Sequence, residues 1–242
     1  MPRSTLAIAS AAGLLGLACA SPAPSTRSTP APTTVAPGGS SLAALTPAGS
    51  GHAAFCGGRW IDVTAPVNAI SADFEAQRLA YDRSRMQDCS GMLHQVLRRF
   101  EAEYCPEAAG AFPDPSRWRS SDGIAAFYAS RGLFTVVDSG AELRNAEALR
   151  PGSIVFYGSR HQRYTGLSPQ EAAAVVSHVG IVTSVVRGPE GVQSYAIFHG
   201  RRVGRPAAVT NYHVRQPRNG GSPPFGNGRQ QWVGWAPLLP GR

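Results

Sequence analysis

The stretch DCSGMLHQVLRRF, Asp88 to Phe100, sets one cysteine between an acid and a serine at the head of a helical pattern. Downstream, Met92, Val96, Phe100 and Tyr104 recur every four residues with Leu93 and Leu97 beside them, so the spacing predicts an apolar stripe on a buried α-helix. Asp88 suits the N-cap position, and Pro106 makes Cys105 a natural end. Cys89 then falls in the first turn. There, backbone N–H groups without intrahelical partners and the positive end of the helix dipole favour negative charge on a sulfur. Many inert cysteines also begin helices, so three readings of Cys89 stay open: packing residue, half of a disulfide, or nucleophile.

Outward from this helix, 242 residues with a hydrophobic share of 43% allow one ordinary domain plus extensions. The net charge is +8, and all 23 basic side chains are arginines. Such a balance suits an anionic partner, whether nucleic acid, lipid surface or cell-wall polymer, and equally reflects a bias for Arg over Lys. The arginines are scattered and no nucleic-acid-binding motif accompanies them, so a nucleic-acid partner is not expected. At the start, MPRSTLAIASAAGLLGLACASPAP combines Arg3, an apolar run from Leu6 to Ala18, and small residues at its end, the pattern of a secretory signal over residues 1–20. The run is shorter than the ~20 residues a spanning helix needs. Gly16-Leu17-Ala18-Cys19 resembles a bacterial lipobox, which would make a lipidated Cys19 the chain's contact with a membrane; Ala18-Cys19-Ala20 fits simple A-x-A cleavage. The lipoprotein reading is preferred, and both readings send the protein to the cell envelope. Residues 21–51 are almost wholly Ser, Thr, Pro, Ala and Gly, too poor in apolar area to offset chain entropy, and predict a flexible tether. The folded domain is expected over residues 52–242, with its core ending near Leu239, as a monomer.

If Cys19 is lipidated or removed, three cysteines remain. A reactive Cys89 would free Cys56 and Cys105 to pair; counting alone also allows Cys89 itself to be bridged. Further on, LRPGSIVFYG (Leu149 to Gly158) predicts a Pro-Gly turn and a strand over Ile154 to Tyr157. Ser168-Pro169-Gln170-Glu171 has N-cap, first-turn proline and capping-box residues in place, predicting a short helix over Pro169 to Val176 that acts either as a lid or as a structural cap. Ser177 to Gly200 reads as a β-hairpin around Arg187 to Gly191. A tight turn on Gly188-Pro189 would put His178 opposite His199, and a loop spanning Gly188 to Gly191 would make them diagonal neighbours on one face. A loop of odd length would send them to opposite faces. A thiol needs a base, and the base needs a polar group to hold its ring, which are roles that two facing histidines suit. His52, His94, His161 and His213 show no such pattern; His94 is expected in solvent. Trp232 and Trp235 read as a last core strand, with sugar stacking as the alternative.

Four segments in order, DCSG (Asp88 to Gly91), LRPGSIVFY (Leu149 to Tyr157), SHVGIV (Ser177 to Val182) and IFHG (Ile197 to Gly200), resemble the NlpC family of papain-like cysteine peptidases, bacterial cell-wall hydrolases. The resemblance covers roughly Tyr81 to Gly200. It implies an α+β, papain-like fold with the nucleophile helix packed on a small antiparallel sheet. By position it makes Cys89 the nucleophile, His178 the general base and later acid, and His199 the residue orienting His178. Tyr81, Asp88 and Ser90 would flank the substrate, peptidoglycan peptide stems, and no cofactor or metal is implied. Members usually carry Tyr followed by Gly-Gly ahead of this segment, where the chain has Tyr81 without the glycines, and Asp in the turn where it has Ser153. Extra sequence around Cys105 to Leu133 and Ser159 to Val176 would reshape the groove. Three alternatives are an acyltransferase or amidase on a non-wall substrate, a non-catalytic wall-binding module, and a zinc site from Cys89, His178 and His199, which lacks any zinc-ligand spacing.

Overall fold

Six antiparallel strands and the helices that cover them carry the motif residues. The computed structural model describes residues 53–137, 142–159, 164–213 and 229–239. The signal, the tether, Cys19, His52 and His161 lie outside the described residues. A small hairpin, β1 (Ala53–Cys56) and β2 (Arg59–Asp62), leads into α1 (Thr64–Ala76) and α2 (Cys89–Tyr104). One 3-10 turn, Pro106–Ala108, precedes α3 (Ser121–Ser130), β3 (Thr135–Val136) and α4 (Glu142–Ala146). Then come β4 (Ile154–Ser159), α5 (Pro169–Ala174), β5 (Val176–Gly188), β6 (Gly191–His199), β7 (Ala208–His213) and β8 (Gln230–Ala236). The main sheet runs β3-β8-β4-β5-β6-β7, every pairing antiparallel. Helices segregated to an antiparallel sheet make this an α+β fold, as expected.

Both faces of the sheet are buried, which is why its strands read as continuous apolar runs. One face, with Ile154, Phe156, Val179, Ile181 and Phe198, packs in a single cluster with Val67 and Ile70 of α1 and Met92, Val96 and Phe100 of α2. Phe74 of α1 stacks on Phe198 at 6.3 Å between ring centroids. The opposite face carries Val155, Tyr157, Val182, Tyr195 and Ile197 under Ala146 and Leu149. Trp232 is buried there and donates Nε1–H to the Gly234 carbonyl at 2.8 Å, the core role expected of β8.

The hairpin takes the second of its expected registers. Gly188 pairs with Gly191 at the turn and Ile181 with Phe198 far from it, the same offset at both ends. Between them, one extra residue on β5, Thr183, and one on β6, Gln193, interrupt the ladder and cancel each other. His178 and His199 are thus diagonal neighbours on one face. The helix expected over Pro169 to Val176 has its capping box but ends at Ala174, because Val176 already pairs with Gly158 as the first residue of β5. It packs with Ala172 and Ala173 fully buried in the helical core cluster, as a structural cap rather than a free lid. Ser153 closes the turn before β4, its Oγ accepting from Arg150 N–H at 3.0 Å. His94, expected in solvent, is buried instead: its Nε2 lies 2.9 Å from the Trp118 carbonyl, and burial pushes its pKa down. The segment before α3 covers the helix face on which His94 lies, a contact that helical periodicity does not reveal. Among the described residues, no helix is long and apolar enough to cross a membrane.

Candidate active site

Cys89 is the first residue of α2, and three contacts hold that helix end. The Asp88 carboxylate accepts from the Gly91 N–H at 2.9 Å, satisfying one of the end's orphan donors. Arg119 clamps the same turn from across the chain, one guanidinium nitrogen on Asp88 Oδ1 and the other on Ser90 Oγ, each at 2.8 Å. Arg83 adds a second cation 3.7 Å from Asp88 Oδ2. The two arginines offset a carboxylate that would otherwise repel negative charge on the neighbouring sulfur.

The Cys89 sulfur lies 3.3 Å from the hydroxyl of Ser121. Ser121 is itself the first residue of α3, whose N-cap, Ser120, accepts from Gly123 N–H. Two helix N-termini therefore converge on one sulfur, and both dipoles favour negative charge there. This spot opens into a cleft of about 460 Å³ lined by Tyr81, Arg83, Arg119 and Ser177 as well as Asp88, Ser90 and Ser121. Burial, and then the nearby Asp88 and Cys89, push the Tyr81 hydroxyl pKa up. Asp88 and Ser90 line the cleft, where their hydrogen bonds serve the helix cap and Arg119.

Cys56 and Cys105 are joined in a disulfide with Cα atoms 5.7 Å apart, tying β1 to the end of α2. Cys89 is the free cysteine among the described residues.

His178 Nε2 and His199 Nδ1 are 2.8 Å apart, with the rings edge to face. His199 Nε2 continues the chain to Thr210 Oγ1 at 3.0 Å. Burial pushes the His178 pKa down to about 4. His199 is held well below its ordinary value by burial, then by the charges of His178 and Arg201. Both rings are accordingly neutral at neutral pH.

The structure brings the two imidazoles together but joins neither to the sulfur by a hydrogen bond. Strand parity is the reason. Val179 and Phe198 face α2, so His178, paired with Tyr157, and His199 project from the other face. The two groups nevertheless belong to the same ends of β5 and β6. Ser177, beside His178, lines the cysteine cleft, and Gly200, beside His199, packs so closely that an added Cβ would lie 2.7 Å from the Cys89 nitrogen. The imidazoles open instead onto a second depression of about 700 Å³ that includes Arg201, Arg202, Arg205 and Thr210.

A zinc site from Cys89, His178 and His199 does not fit this geometry. The one His, Cys, Asp or Glu group among the described residues with all donor atoms within 4.8 Å is Cys56, Cys105 and Glu107, whose sulfurs are bonded to each other. Arg119, Ser121 and Thr210 escape sequence reading, because each acts through a contact across 11 to 32 residues with no local motif. No family model, curated protein or solved structure matches the chain.

Proposed function

We propose that the protein is an exported, papain-like cysteine hydrolase that cleaves an amide bond in the peptide stems of peptidoglycan. The observation that carries this reading is the position of Cys89, the unbridged cysteine, where two helix N-termini and a hydroxyl meet in an open cleft. The motif resemblance around it supports it. A disulfide belongs in an oxidising compartment, which agrees with export.

In the reaction, the Cys89 sulfur attacks the amide carbonyl, and its proton passes through cleft water to the leaving amine, because the imidazoles project from the other face of the sheet. The Cys89 N–H, which has no partner among the described residues, would stabilise the oxyanion. The amine leaves with that proton, a thioester remains on Cys89, and a second water hydrolyses it to free the thiol and the carboxylic acid.

Digestion of purified peptidoglycan by wild type and by Cys89→Ala, with mass analysis of released peptides, tests this. Fragments from the wild type alone are expected. Identical products from both would remove Cys89 as nucleophile, and no products from either would remove the wall substrate.

A further inference from the structure

Charge is distributed unevenly along this chain. The 52 residues after Glu190 hold seven arginines and no Asp or Glu, against sixteen arginines and fifteen acids up to that point. The fold gathers part of this excess. Arg201, Arg202 and Arg205, on the connection from β6 to β7, line the depression in front of His178 and His199, together with the neutral hydrogen-bonding groups of Thr210 and Asn211. Elsewhere, Arg83, Arg85, Arg99 and Arg119 are all in ion pairs with acids. Among the described residues, none of the three gathered guanidinium groups has an ion pair or a side-chain hydrogen bond. Their connection is nonetheless anchored, by Arg205 N–H to the Arg202 carbonyl at 2.9 Å and Ala207 N–H to the Leu79 carbonyl at 3.1 Å. Beside them, His178 is only 7% exposed, with its Nδ1 lacking a protein partner among the described residues.

We propose that this depression is an oxyanion-binding subsite that takes a carboxylate or phosphoryl group. Planar guanidinium forks match both groups in charge and in bidentate geometry, and several unpaired arginines around one hollow favour an anion of more than one charge. Binding there does not depend on the hydrolase reading. What rests on that reading is only the further step, that the bound group belongs to the substrate and sets its position beside His178.

The experiment uses the full chain carrying Cys89→Ala, labelled with ring-¹⁵N histidine, and follows the imidazole signals of His178 and His199. Two probes are added separately, inorganic pyrophosphate and the tricarboxylate tricarballylate. A saturable shift of these signals is expected with Kd at or below about 1 mM, weakened about tenfold in Arg201→Ala and Arg205→Ala and unchanged in Arg98→Ala, an exposed arginine on α2. A response to pyrophosphate alone identifies the group as phosphoryl, and one to tricarballylate alone identifies it as carboxylate. No saturable shift with either probe, or equal weakening by Arg98→Ala, overturns the subsite. Anion binding in a protein whose wild type releases nothing from peptidoglycan would leave the subsite standing and remove the proposed hydrolase.

Discussion

Two glycines of the motif segments determine where the sulfur can be. An added Cβ on Gly91 would lie 2.6 Å from the Met86 Cα, and one on Gly200 would enter the Asp88–Cys89 peptide. Neither neighbour is a flexible side-chain end, so backbone must move. Gly91→Ala and Gly200→Ala are each expected to cost about 1–3 kcal/mol as overpacking, read as a lower urea midpoint; an unshifted midpoint would mean the close approach is absent. Ser121 acts on the sulfur more directly. Removing one hydrogen bond of about 1 kcal/mol, Ser121→Ala should slow alkylation of Cys89 by iodoacetamide about fivefold, while Ser121→Thr restores most of it; an unchanged rate would mean the hydroxyl does not act on the sulfur. The histidines set a pH limit. The unfolded chain protonates its histidines as pH falls below about 6.5, whereas folded His178 resists protonation until about 4. Stability is therefore fully present above that window and is lost as pH falls through it, by about 1.4 kcal/mol per pH unit for each proton taken up by the unfolded chain alone. His199 and His94, shifted the same way, add to the loss. Denaturant midpoints at pH 7, 6 and 5 should fall in that order, and less steeply in His178→Asn with His199→Asn.

At the scale of elements, the disulfide and α3 complete what α2 begins. The Cys56–Cys105 bridge closes a loop of 49 residues, for which chain entropy in the unfolded state corresponds to about 4 kcal/mol. Cys56→Ala with Cys105→Ala should lower the Tm accordingly. Alkylation of the unreduced protein, followed by peptide mapping of residues 53–239, should modify Cys89 alone, and labelling of Cys56 or Cys105 without reductant would contradict the bridge. The extra sequence between Cys105 and Leu133 is more than an elaborated groove. It supplies α3, whose first residue meets the sulfur, and Arg119, which steadies the cap of α2. Around it, α5 buries Ala172 and Ala173 within the helical core, so this insertion supports the site from behind.

For the whole molecule, a sheet buried on both faces has two places to keep polar groups, the helix ends at its rim and the strand faces beneath. The protein uses both, and the thiol cleft and the arginine-lined depression meet at the common ends of β5 and β6. By itself, the sequence determined whatever depends on neighbours within a turn or two: the α2 stripe, the Asp88 and Ser168 caps, the β4 strand, and the hairpin that makes the histidines neighbours. Local spacing carries those signals because helix and strand periods are short. The same reading named Cys56 and Cys105 as a pair conditional on a free Cys89. Only the tertiary structure decided the remainder. The Gly188–Gly191 turn, with two bulges beyond it that cancel, kept the diagonal register, strand parity turned the imidazoles away from α2, and chain crossings of about thirty residues brought Ser121 and Arg119 to the cysteine. Such contacts join surfaces with no common period, so their physical cause, packing of one element against another, is written in no single stretch of the chain.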